Sequence, residues 1–210
     1  MLLIEGKGIN STWETSIRML LSQAEQYVPA PSGMLTARQL NLCMSVQDIR
    51  RPSQLSEYCI WPMDYVEEYS RILTVGGQGE HVLRDRMLRE VDRGVSQLEW
   101  ARNELSRTPP SRRAVVSFWD SPVDCSSHRP PGLVCCHFIR SSQTLNLTLY
   151  FRSNDAWNSA LPDMFAFCDL LRHESDILGL RPGTYSHFVG DYHIYYHDLA
   201  YIIARMNCEG

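Results

Sequence analysis

Cys136-His137 is the pair in this chain with the clearest chemical use. A thiolate is a strong nucleophile, and it forms where positive charge or hydrogen-bond donors lie nearby. Arginines at 112, 113, 140 and 152 would supply that field if the fold brings them close. Cys135 competes for the role. Successive strand residues face opposite ways, so only one of the two cysteines can open into a given cleft. The plainer reading of any cysteine in a β-rich run is a small buried hydrophobe. Arg152-Ser153-Asn154-Asp155 then sets a fork-shaped cation beside short acceptors, a combination suited to phosphate and sugar. Further on comes Gly190-Asp191-Tyr192-His193-Ile194-Tyr195, where His193, Tyr195 and His197 would share one strand face. Asp163, next to Pro162, is either an early-helix acid favoured by the helix dipole or a carboxyl that reads a ligand.

Several function classes fall away on composition. The chain has 210 residues, 44% hydrophobic and 21% charged, enough for one domain with a sizeable core, read as spanning 1–210. Its net charge of −4 gives no general attraction to nucleic acid, so an anion site must be a local arginine cluster. Lys7 is the only lysine. No apolar run is long enough for a membrane span, and Met1 to Ile4 is too short for a signal-peptide core. Seven cysteines without a CxxC pair read as a reduced, cytoplasmic protein. Cys125-x-x-His128 with Cys135, Cys136 and His137, or Asp191 with His193 and His197, could ligate zinc; these spacings match no structural zinc pattern, so no metal is expected.

The elements that must position these groups follow from periodicity. Ser11 with Glu14 resembles a capping box, opening a helix through Trp13, Ile17, Leu20, Leu21 and Ala24 to about Tyr27. Pro29 to Gly33 breaks it, and Leu40, Leu42, Met44 and Val46 alternate as a strand. Asp64 would cap a helix carrying Val66, Tyr69, Ile72 and Leu73 up to Gly76-Gly77. Val91, Val95, Leu98 and Leu105 mark another, stopped by Pro109-Pro110. Ala114 to Trp119 is a β-run and Ser121 to Gly132 a loop. Leu133 to Arg140 and Thr144 to Phe151 form a hairpin around Ser141-Ser142-Gln143. A helix starts near Pro162, Pro182-Gly183 reads as a turn, and His187 and Tyr192 to His197 as late strands. This order predicts an α/β fold of the α+β type, a mainly antiparallel or mixed sheet flanked by helices.

Four ordered segments together resemble the thymidylate synthase family. Ser111-Arg112-Arg113 through Trp119 is similar to its Ser-Arg-Arg strand, Cys136-His137 to its Cys-His, Arg152-Ser153-x-Asp155 to its Arg-Ser-x-Asp, and Gly190-Asp191-x-His193-x-Tyr195 to its Gly-Asp-x-His-x-Tyr. The resemblance is strong from about Ser111 to His197 and thin before that. It implies Cys136 as nucleophile, and Arg152, Ser153 and Asp155 on phosphate and substrate. It also implies His193 and Tyr195 on the sugar hydroxyl, and Arg112 and Arg113 reaching across a homodimer to the partner's nucleotide. A glutamate on a helix before a glycine turn relays protons in that family, and Glu68 fits best, with Glu67 and Glu57 in reserve. Arg38 is assigned as the N-terminal phosphate arginine. Uracil-selective members carry Asn eleven positions after the motif arginine; here that position is Asp163, as in the cytidylate hydroxymethylases. A carboxylate accepts only, which suits the 4-amino group of cytosine.

The function this implies is 5-hydroxymethylation of a pyrimidine nucleoside monophosphate, CMP or dCMP, with 5,10-methylenetetrahydrofolate. The thiolate adds to C6, C5 attacks the folate methylene, the C5 proton and the folate leave, and water adds to the exocyclic methylene. Methylation of dUMP by a thymidylate synthase proper is one alternative, and a non-catalytic nucleotide-binding member is another. Departures from the pattern are Leu83 for a tyrosine, Cys135 for the proline that precedes the nucleophile, and Asn158-Ser159 for Leu-Gly. The chain stops at Gly210 without the long tail that closes over folate in bacterial-type members, as in the short archaeal type.

Overall fold

The fold, seen in a computed structural model, is described for residues 1–22, 27–30, 33–76 and 81–206. In chain order its elements are β1 (Leu2–Gly8), α1 (Ile9–Ser22), β2 (Tyr27–Pro29), β3 (Leu35–Asp48), α2 (Met63–Thr74), α3 (Val82–Met87), β4 (Glu90–Asp92) and β5 (Val95–Ser96). There follow α4 (Gln97–Arg107), β6 (Val115–Ser117), α5 (Ser121–Asp124), β7 (Leu133–Ser141), β8 (Thr144–Asp155), α6 (Ala160–Leu178), β9 (Arg181–Tyr195) and α7 (Tyr196–Met206). Seven strands form one sheet in the order β1-β3-β9-β8-β7-β6, with β2 also on β3. The pairs β1/β3 and β8/β9 are parallel and the others antiparallel, so the expected mixed sheet with helices is the one found. Among the described residues no helix is long and apolar enough to cross a membrane.

The central helix α6 is apolar nearly all round, which is the signature of a helix enclosed by its neighbours. Met164, Phe165, Ala166, Phe167, Leu170 and Leu171 are buried against α2, β8 and β9. Each large side chain among them contributes about 1.5–3 kcal/mol from burial. A bidentate Arg102–Glu174 pair at 2.8 Å ties α4 to it.

Several sequence expectations shift. Helix α1 starts at Ile9, so Ser11 lies in its first turn and not at the cap; Ala24, Pro31, Ser32 and Gly77 lie outside the described residues, and Tyr27 is in β2. Pro62, not Asp64, holds the cap position of α2. Val91 and Val95 belong to a β4–β5 hairpin. Its two-residue loop Arg93-Gly94 has positive φ at both positions, the primed-turn geometry that overrides helical spacing. Helix α4 begins only at Gln97, capped by the Ser96 hydroxyl. Pro182-Gly183 is the start of β9 and not a turn, while His197 lies in α7, off the strand face of His193 and Tyr195.

One irregularity positions the site. In β8 the inward alternation Leu145, Leu147, Leu149, Phe151 changes phase and resumes at Asn154 and Ala156. β9 changes between Val189 and Tyr192, and β3 between Ala37 and Leu42, where Asn41 has φ 54. The register is kept across all three: Phe151 pairs Val189, Val189 pairs Leu42, and Ser153 pairs Asp191, which pairs Leu40. Three adjacent strands therefore turn over at one row, and beyond it Ser153, Asp191, His193 and Tyr195 line a common cavity.

Candidate functional site

Two adjoining cavities meet at Ser153, which lines both. The first, about 350 Å³, has Asp163 and Asn154 at its base, Tyr69 from α2, His81, Val82 and Leu83 at α3, and Pro131, Gly132 and Leu133 entering β7. Asp163 sits in the first turn of α6, and both its oxygens are held from inside the protein. Tyr69 donates its hydroxyl to Oδ1 at 2.7 Å, and Asn154 donates Nδ2 to Oδ2 at 2.9 Å. The Asn154 oxygen accepts from His187 Nε2 at 3.2 Å, and His187 Nδ1 accepts from the Tyr185 hydroxyl at 2.7 Å. This chain fixes a neutral His187 tautomer, and burial lowers its pKa to about 3. Burial raises the Asp163 pKa to about 6, against the opposing bonds from Tyr69 and Asn154. Its remaining lone pairs face the cavity and can accept from a ligand.

The second cavity, about 450 Å³, is lined by Thr36, Arg38, His128, Arg129, Arg152, His193 and Tyr195 among others. Arg152 lies over the Trp119 ring at 5.7 Å, and its guanidinium donates to the Pro130 and Pro131 carbonyls at 2.9 and 3.1 Å. Arg38 is braced by Asp191 at 3.2 Å, and His193 packs edge-on to Tyr195. Three guanidinium groups and two imidazoles beside hydroxyls make an anion pocket. Asp155 lines the first cavity but spends its oxygens on a turn, accepting from the Trp157 and Asn158 backbones at 3.0 Å and from Asn158 Nδ2 at 3.0 Å.

Of the residues singled out in the sequence, Arg152, Ser153, Asp155, Asp163, His193, Tyr195 and Arg38 gather at these two cavities. The others do not. Cys136 corrects the expectation: it is 0% exposed, lines neither cavity, and packs on the helix-facing side of β7 opposite Leu149. Burial pushes its thiol pKa up, and no arginine is among the groups acting on it. Cys135 and His137 lie on the other face, by strand alternation. Glu68 is exposed and paired with Arg71 at 2.6 Å, which lowers its pKa, and Glu67 pairs with Arg51 at 3.0 Å. The helix face that meets the cleft presents Tyr69 instead. Arg112 and Arg113 are exposed ahead of β6 and line neither cavity; Arg113 pairs with Glu104 at 2.7 Å.

Site residues that went unnoticed in the sequence include Tyr69, Asn154, His187, Gly132 and Arg129. Tyr69 shares the α2 face of Val66 and Leu73, so helical spacing pointed to it. For Gly132 the signal is Pro131 before it, since the family's nucleophile follows a proline. A side chain has no room there: a Cβ would lie 2.4 Å from the Ser153 carbonyl oxygen.

A mixed sheet with a buried central helix thus carries an acid-floored cavity beside an arginine-lined one. The thymidylate synthase family model matches residues 41–208, and the chain belongs to that family, whose enzymes transfer one-carbon units to pyrimidine nucleotides. It is 25% identical over 198 residues to a "Putative thymidylate synthase" of Methanococcoides burtonii, covering 93% of this chain and 90% of that protein. A protein of the same description from Methanosarcina barkeri is 24% identical over the same extent. The thymidylate synthase of Equine herpesvirus 2 is 36% identical over 104 residues, 49% of this chain and 35% of the viral protein.

Proposed function

We propose that the protein binds a cytidylate, CMP or dCMP, the substrate of a 5-hydroxymethylase, with the base over Asp163 and the phosphate in the arginine pocket. The observation that carries this is Asp163 itself, a carboxyl braced from behind by Tyr69 and Asn154 with its free lone pairs toward the cavity. The 4-amino group of cytosine donates to such an acceptor. O4 of uracil is itself an acceptor and would face a carboxylate without a hydrogen between them. A protonated Asp163 could in addition donate to N3. Arg38, Arg129 and Arg152 would hold the phosphate, and His193 and Tyr195 the sugar hydroxyl.

His81, Val82 and Leu83 form one wall of the base cavity. The pterin of a reduced folate such as methylenetetrahydrofolate, the one-carbon donor of this family, would lie against this wall. A homodimer completes the reading. The sheet face away from α6 leaves Val115, Ile139 and Tyr150 each more than a third exposed. A second copy on this face would cover them and bring its Arg112 and Arg113 toward this chain's phosphate pocket.

Isothermal titration with CMP, dCMP, UMP and dUMP tests the base assignment. Cytidylates should bind about 10–100-fold tighter, the scale of one buried polar group left unpaired. Equal affinity, or tighter uridylates, would refute it.

A further inference from the structure

We infer that the cleft holds its cytidylate reversibly, without a covalent bond from the protein to C6 of the base. This rests on the nucleotide reading above. A thiolate that adds to C6 must lie at the cavity wall, and among the described residues no cysteine lines either cavity. The wall residue that follows a proline is Gly132. The Ser153 backbone closes on it so tightly that even a methyl group there would collide with the carbonyl oxygen. Cys136, the one cysteine followed by histidine, is enclosed between Val116 and Leu149 in the sheet, on the side covered by helices.

The α2 side agrees independently. Proton relay at the base would need a carboxylate from this helix, yet Glu67 and Glu68 turn outward onto Arg51 and Arg71. The phenol of Tyr69 fills the cavity-facing position, where it is already committed to Asp163. Among the described residues, recognition groups therefore line the site while neither a thiol nor a carboxylate of α2 does. Without a bond to C6, the C5–C6 double bond of a bound cytidylate stays intact and the nucleotide leaves as it came. Burial of the Cys136 thiol, which favours its protonated form, is consistent with this.

The test uses the full-length protein with 5-fluoro-dCMP and 5-fluoro-CMP, each with methylenetetrahydrofolate. Fluorine replaces the C5 proton that must depart, so a C6 adduct accumulates once formed. Intact mass after denaturation should show the unmodified protein, and [5-³H]CMP or [5-³H]dCMP should release no more tritium than buffer does. Titration of the same sample with CMP and dCMP should show saturable binding. A mass gain equal to the nucleotide, alone or together with the methylene-linked folate, on any cysteine, or tritium release above buffer, would overturn the inference while leaving the nucleotide reading intact. Absence of binding by either cytidylate at millimolar concentration would sink the nucleotide reading, and the inference with it.

Discussion

Tyr69 on α2 and Asp163 on α6 are joined across the cleft by a 2.7 Å hydrogen bond from phenol to carboxylate. The bond steadies the ionised carboxyl, while burial works against it more strongly. Tyr69→Phe removes the steadying donor and leaves the burial. The Asp163 carboxyl should therefore titrate above its present value of about 6. Carboxyl ¹³C NMR of the ligand-free protein measures this, and a downward movement would contradict the arrangement.

The same carboxyl sets a pH dependence of stability. Its pKa rises from 3.8 in the unfolded chain to about 6 in the fold. Below about pH 3 both states are protonated and the group carries no penalty. As pH rises through 6 the unfolded state has already lost its proton, and folding is disfavoured by about 3 kcal/mol. Other carboxylates, such as Asp124 with Arg86, work in the opposite sense, so the comparison must be with Asp163→Asn. Between pH 3 and pH 7.5 the wild type should lose about 3 kcal/mol relative to that variant in urea denaturation. A constant difference would show that Asp163 ionises freely.

Arg152 offers a separate test of the anion pocket. Arg152→Ala should weaken CMP about 10–100-fold and leave cytidine unchanged, because a charge-assisted contact of this kind contributes about 1.5–3 kcal/mol. The loss should shrink at high salt. Equal losses for nucleotide and nucleoside would place the arginine's role in packing against Trp119 rather than in binding.

Cys136 can be located by substitution without any ligand. Cys136→Asp puts a carboxyl opposite Leu149 under the helices, and should destabilise the fold by more than about 4 kcal/mol. A side chain opening to the cleft would be solvated, and the change would then cost little. Chemical denaturation separates the two.

Much of this architecture could be read in the chain, and the failures are physical. The Arg152 and Gly190 segments were legible because recognition groups recur at short spacing on two strands that pair, Ser153 with Asp191 and Asp155 with His193. Asp163 was legible through its distance from Arg152 along a continuous strand and the start of a helix. Cys136 misled because a dipeptide carries no information about which face of a strand is wet. The hairpin did carry it. Counting back from Ser141 opposite Thr144 puts Cys136 opposite Leu149, on the apolar face that Leu145, Leu147 and Leu149 already marked. Glu68 failed for a related reason: the apolar stripe of α2 passes through Val66, Tyr69 and Leu73 and leaves both glutamates outside it. The β4–β5 hairpin was hidden because valines at helical spacing were weighed above the Arg93-Gly94 turn.

The common turnover row in β3, β8 and β9 constrains how this protein can change over generations. Deleting one residue from β8 between Phe151 and Asn154 would restore simple alternation in that strand alone and move Asp155 one place out of register with His193. Its neighbours would still be phased the other way. Length changes at this row must therefore occur in three strands together, so point replacement of a lining residue is the open route for altering what the cleft does while its other contacts survive.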